Sequence, residues 1–173
     1  MDLHTLVTMD VLIGAARRRS RGPLLDPPLV VRPNLMVGPG VFLNPRFVWD
    51  HKLTHVINVG EPEAAPQWVP SSFKQRYVNM YIPDDDKTRL DDVYPAFEQT
   101  LLQFMREPGA LVYVHCMAGM NRSASLTVMF LVKQFRLPLE AVVFHALRQR
   151  PCVLANPHFN AQLVEFAKKH AHK

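Results

Sequence analysis

Cysteine is scarce. The chain of 173 residues has two, Cys116 and Cys152. That is too few for a disulfide framework, so a packed core must hold the fold, and free thiols fit a reducing, intracellular compartment. Long apolar runs are missing too, and none approaches the ~20 residues that a membrane-spanning helix needs. A secretory signal is not expected, because the basic cluster at residues 17–21 follows the apolar residues 11–16 instead of preceding them. The eight histidines show no metal-ligand spacing. His51 and His55 are four apart but straddle a loop and a strand pattern, so neither a metal nor a cofactor is expected. No module interleaving aromatic and basic residues is visible, and nucleic acid is not an expected partner. Gly38-Pro39-Gly40 lacks the helix pattern that would make it a nucleotide loop. Charged residues are few, at 20% against 48% hydrophobic, which excludes a disordered chain and suits one domain with a sizeable core.

What is present is concentrated in one stretch. Residues 111–135 read LVYV-HCMAGMNRS-ASLTVMFLVKQF. Residues 111–114 form a short apolar, β-branched run, a buried strand. Residues 123–135 are long enough for a helix and apolar nearly all round, as a helix inside a domain should be. The loop between them runs from Cys116 to Arg122. A strand, a tight loop and a helix N-terminus make an anion site, since backbone N–H groups converge there and the dipole favours negative charge.

The side chains in that loop suit phosphoryl chemistry. Cys116 stands at the mouth of an electropositive nest, which favours the nucleophilic thiolate. The planar fork of Arg122 can hold two phosphate oxygens. Gly119 allows close backbone approach. Ser123 can cap N–H groups or donate to the sulfur as it leaves. His115 is placed to fix the loop and tune the thiolate. Met117, Ala118, Gly119, Met120 and Asn121 supply the backbone that, with Arg122, would bind the phosphate.

The run His115-Cys116-Met117-Ala118-Gly119-Met120-Asn121-Arg122-Ser123 resembles the HCxxGxxRS signature of cysteine-dependent protein tyrosine phosphatases, and its AGxNRS form resembles the dual-specificity branch. Similarity extends to V-x-P-N-L-x-V-G and L-T-H-V-I-N-V near residues 31–59, and to R-P-x-x-x-x-N-P-x-F-x-x-Q-L near the C-terminus. The resemblance covers about residues 29–170. It implies an α/β domain with a central mixed sheet of about five strands flanked by helices. It also implies hydrolysis of phosphotyrosine and of phosphoserine or phosphothreonine through a cysteinyl-phosphate, without metal or cofactor. In the family a mobile Asp between a strand and a helix serves as general acid and then base. Three candidates follow Ile82-Pro83: Asp84 is preferred, Asp86 is second and Asp85 third. Two other readings share the motif. An RNA 5′-phosphatase or phosphoinositide phosphatase could use the same loop, although no extra Lys or Arg stands between Cys116 and Arg122. A non-catalytic phosphoprotein-binding module is the other, although Cys116, Arg122 and a candidate acid are all retained.

The rest of the chain frames that site. Residues 1–28 read as an N-terminal arm and residues 29–173 as the catalytic domain. In the arm, Leu3, Leu6, Val7 and Val11 recur at helical spacing, Gly14 is a candidate stop, and Arg17, Arg18, Arg19 and Arg21 precede a Pro-rich stretch. The arm is either a frayed terminus, an extra helix on the core, or a contact to a second subunit that would give a homodimer. Its basic run is a candidate nuclear signal, so the expected location is cytoplasmic and nuclear. Strands are expected around Arg32-Pro33-Asn34, at residues 54–59 and at 74–82, with a loop at 60–72 between the last two. Helices are expected at 45–53, at 92–106, after Pro138, and after Asn156-Pro157, which caps the last. Asp91 and Asp92 suit a helix start, while Arg148 and Arg150 suit a helix end or a substrate contact. Cys152 reads as structural, or as a partner that traps oxidised Cys116. From residue 122 onward, eight Lys/Arg face Glu140 and Glu165 alone, a bias that attracts an anionic, phosphorylated protein.

Overall fold

Short β-branched runs and longer amphipathic segments alternate along this chain, which places parallel strands between helices. The computed structural model describes residues 3–61, 66–69 and 76–170. Its strands are β1 (Leu29–Arg32), β2 (Leu35–Pro39), β3 (His55–Asn58), β4 (Tyr77–Asn79) and β5 (Val112–Cys116). Its helices are α1 (Leu3–Arg17), α2 (Pro45–Asp50), α3 (Leu90–Met105), α4 (Arg122–Phe135), α5 (Leu139–Gln149) and α6 (Pro157–His170). The sheet order is β1-β2-β5-β3-β4, with β1 antiparallel to β2 and every other pair parallel. This is the expected mixed sheet of five strands.

β5 is the central strand and every residue of it is buried, as a parallel strand covered on both faces requires. Its carboxyl end delivers Cys116 into the loop, and α4 carries the chain back along the sheet. All residues of α4 from Arg122 to Val132 are buried, so the helix that starts at the loop is fixed by packing on every side. Tyr113 locks the neighbouring strand end by donating from its hydroxyl to the Pro39 carbonyl at 2.9 Å.

Several boundaries differ from expectation for identifiable reasons. The strand expected at 74–82 is β4 alone. Residues 74 and 75 lie outside the described residues, and Ile82 has left the sheet because its carbonyl accepts from Arg122. The loop expected at 60–72 likewise falls largely outside them. α2 stops at Asp50, short of residue 53, and starts with Asn44, whose Oδ1 accepts from Phe47 N–H at 2.9 Å. α3 begins at Leu90 rather than 92, because Gln162 Oε1 accepts the Leu90 N–H at 2.8 Å and replaces a side-chain cap.

α1 runs straight through Gly14 and packs on α5 and α6 of its own chain. Its buried face is Met9, Ile13 and Ala16, whereas Leu3, Val7 and Val11 face outward. The helix is apolar on two stripes, so periodicity alone could not choose between them. Burying Met9 and Ile13 contributes about 1.5–3 kcal/mol each. Thr5 Oγ1 adds a hydrogen bond to Glu140 Oε1 at 3.1 Å.

Candidate active site

The loop after β5 is shaped by bonds to its carbonyls. Gly40 N–H donates to Met117 O at 3.3 Å, and Leu154 N–H donates to Met120 O at 2.8 Å. Between them, Arg150 donates from Nη2 to Ala118 O at 3.0 Å and from Nε to Gly119 O at 2.9 Å. Each carbonyl from Met117 to Met120 is therefore drawn outward. Peptide units are planar, so this turns the N–H groups the other way. Among the described residues, no backbone acceptor takes the N–H of residues 117–121. The result is a ring of donors above the α4 N-terminus, an anion nest. Gly119 is required in it: φ is +60°, and a Cβ would lie 2.1 Å from the Gly38 carbonyl carbon.

Cys116 is buried at 2% exposure, and its Sγ lies 3.3 Å from Ser123 Oγ. That hydroxyl is placed to donate to a thiolate. A cavity of about 290 Å³ opens above, lined by Gly40, Val41, Asn58, Glu61, His115, Cys116 and Met117. His115 is buried behind Cys116. It stacks on Tyr113, and its Nε2 lies 3.3 Å from Tyr77 Oη. Burial pulls its pKa down to about 4, so the ring is neutral at pH 7 and supports the loop without acting as the base. Arg122 is 5% exposed. Its Nη1 donates to Ile82 O at 3.1 Å and to Glu61 Oε1 at 3.2 Å. Its Nε has no hydrogen-bond partner and lies 3.8 Å from Asp84 Oδ2. A buried guanidinium with an uncommitted N–H is a binding donor for an oxyanion.

Of the three Asp candidates, Asp84 stands at this rim. Its carboxylate accepts from Asn121 Nδ2 at 3.0 Å and from Asn156 Nδ2 at 2.9 Å. Asp85 instead turns back on its own segment and accepts from Lys87 and Thr88 N–H, at 2.9 and 2.7 Å. The Thr88 hydroxyl, together with those two N–H groups, holds its carboxyl below the usual range. Asp86 is exposed. Asn121, expected only as loop backbone, points its side chain at Asp84.

Arg150 corrects the expectation of a solvated cation or substrate contact. It is fully buried, because all its N–H groups find carbonyls: Ala118 and Gly119 on the loop side, and Pro23, Asp26 and Pro27 on the arm side. Asp26 is buried beside it. Desolvation would raise that carboxyl, but Ser20, the Arg21 N–H, the Cys152 thiol and the Arg150 charge together hold it below its ordinary range. Cys152 is buried, and desolvation pushes its thiol up to about 11. Sequence reasoning also missed Glu61, and it read Asn156 only as a helix cap. The R-P-x-x-x-x-N-P spacing contained Arg150 and Asn156, but their partners are distant in sequence.

Comparison with known proteins is consistent with this geometry. Residues 41–169 match the family model described as dual specificity phosphatase, catalytic domain. Protein phosphatase Slingshot of Drosophila melanogaster is 27% identical over 117 residues, covering 65% of this chain and 10% of that protein. Human dual specificity protein phosphatase 16 is 24% identical over 145 residues, covering 82% of this chain and 21% of that protein. The chain thus spans between a tenth and about a fifth of these curated relatives. The crystal structure of human DUSP28 superposes with a TM-score of 0.72 at 21% identity, covering 86% of this chain and 97% of that one. That likeness speaks for the fold.

Proposed function

Because this chain belongs to the dual specificity phosphatase family, we propose that it hydrolyses phosphotyrosine and phosphoserine or phosphothreonine in phosphoproteins through a cysteinyl-phosphate. The observation that carries this reading is the outward tethering of every loop carbonyl from Met117 to Met120 above a buried cysteine. It leaves a ring of N–H donors that suits a small oxyanion.

In the first step the Cys116 thiolate attacks phosphorus on the side opposite the ester oxygen. The S–P bond forms, the P–O bond breaks, and Asp84 passes its proton to the departing oxygen. Arg122 and the loop N–H groups carry the charge on the equatorial oxygens. In the second step Asp84, now ionised, takes a proton from water as the water oxygen bonds to phosphorus. The S–P bond breaks, and the Ser123 hydroxyl stabilises the returning thiolate from 3.3 Å. Phosphate leaves, and Asp84 is protonated again.

Matched phosphotyrosine and phosphothreonine peptides test the substrate class, with Cys116→Ser as control. Turnover of both that is lost in the variant is the expected result. Turnover confined to triphosphate-ended RNA would keep the chemistry and replace the substrate. Free thiols at Cys116 and Cys152 suit an intracellular setting. The outward face of α1, with Leu3, Val7 and Val11 exposed, supports pairing of two copies through the arm. A Val7→Glu, Val11→Glu variant with unchanged solution mass would argue against that pairing.

A further inference from the structure

We propose that Asn121 and Asn156 form a carboxamide cradle that fixes Asp84 for proton transfer, so that both are positioning residues. The inference rests on the reading of Asp84 as the general acid. Its foundation is that neither carboxamide can turn round. Asn121 Oδ1 accepts from Ala155 N–H at 2.8 Å and from Asn156 N–H at 3.0 Å. Asn156 Oδ1 accepts from His158 N–H at 2.9 Å and from Phe159 N–H at 3.3 Å, as the cap of α6. Each oxygen is committed to two backbone donors, so each NH2 group must face away from them, toward Asp84.

The contacts on the carboxylate are unequal. Asp84 Oδ1 accepts from Asn156 Nδ2 at 2.9 Å and from Asn121 Nδ2 at 3.3 Å, while Oδ2 accepts from Asn121 alone, at 3.0 Å. Oδ1 is saturated by two donors. Oδ2 keeps a lone pair and is the oxygen turned toward Arg122 Nε. The transferred proton therefore sits on Oδ2, on the side of the phosphoryl site. The cradle also joins three separate elements, since Asn121 lies in the loop, Asp84 follows Ile82, and Asn156 starts α6. The acid is held at the rim by the frame of the domain and does not wait for a loop to close.

A general-acid defect has a signature that a packing defect lacks. It slows P–O cleavage when the leaving group is basic and spares an activated one. The test is kcat/KM for phenyl phosphate and para-nitrophenyl phosphate. Asn156→Ser keeps a capping hydroxyl for α6 and removes the amide donor. It should lose ~10-fold on phenyl phosphate and change little on the nitrophenyl ester. Asn156→Asp keeps the cap and sets a second carboxylate against Asp84, so its loss on phenyl phosphate should be larger. Asn121→Ala should raise the nitrophenyl-to-phenyl ratio in the same direction. Asp84→Asn should show the largest ratio, and adding Asn156→Ser to it should cost nothing more. If Asp84→Asn shows the leaving-group dependence while both Asn156 variants lose equally on both esters, or on neither, the cradle is overturned and the acid stands. If Asp84→Asn itself shows no such dependence, the acid reading fails.

Discussion

Replacing Arg150 should be among the most damaging single changes in this protein. The side chain is fully buried, and its five N–H groups meet five main-chain carbonyls at 2.5 to 3.0 Å. Methionine would refill most of the stem but leave those oxygens without donors. A buried group robbed of its partner costs ~1–3 kcal/mol. Relaxation and water entry should rescue some of them, so leaving two or three dry gives a loss of about 4 kcal/mol, the range in which point mutations are exceptional. Asp26 would add to the cost, because its carboxylate is buried near the same guanidinium. Lysine keeps the charge and up to three donors but cannot spread them over the same fork, so Arg150→Lys should fall between the two. Urea denaturation of both variants reads these losses. Kinetics on the folded fraction should also show a loss of kcat/KM, because the N–H groups of Gly119 and Met120, which share peptide planes with the Ala118 and Gly119 carbonyls, are no longer held inward. An Arg150→Met protein within about 1 kcal/mol of the parent would refute the clamp.

Other expectations follow from individual groups. His115 is held neutral by burial with a pKa of about 4, whereas in the unfolded chain it binds a proton below about pH 6.5. Its contribution is therefore complete above pH 6.5 and is lost as pH falls toward 4. The loss is of order 3 kcal/mol, and denaturation of His115→Gln against pH should lack that part of the slope. Cys152, with its thiol near 11, should react with iodoacetamide far more slowly than Cys116 at pH 7. Peptide mapping that found Cys152 modified first, or a Cys116–Cys152 disulfide after peroxide, would contradict this. Met9→Asp should destabilise the whole domain by about 2–4 kcal/mol, since α1 packs on α5 and α6. An unchanged urea midpoint would return the arm to a dispensable appendage.

How much of this was legible in the sequence depended on the distance over which each residue acts. Cys116, Gly119, Arg122 and Ser123 lie within one strand–loop–helix turn, so their spacing could be read directly. The positions of the main strands followed from local β-branched runs, whereas the mixed sheet was implied only by the family resemblance. The face of α1 did not, because Leu3-Val7-Val11 and Met9-Ile13-Ala16 are both apolar stripes and only the packing partner selects one. Asp84 could not be separated from Asp86 by counting along a short loop. What holds Asp84 at the rim is Asn121 and Asn156, which reach it across the fold. Arg150 looked like a cation completing a helix dipole. Its real partners are carbonyls of the arm and of the phosphate loop, and no local pattern announces those.

The proposed hydrolysis requires a covalent phosphocysteine at Cys116. Rapid quenching of the enzyme with a phosphorus-labelled aryl phosphate in acid, followed by peptide mapping, addresses it directly. A burst of aryl product with label on the peptide containing Cys116 is expected, and neither burst nor turnover in Cys116→Ser. Full turnover in that variant, or label on another residue, would contradict it.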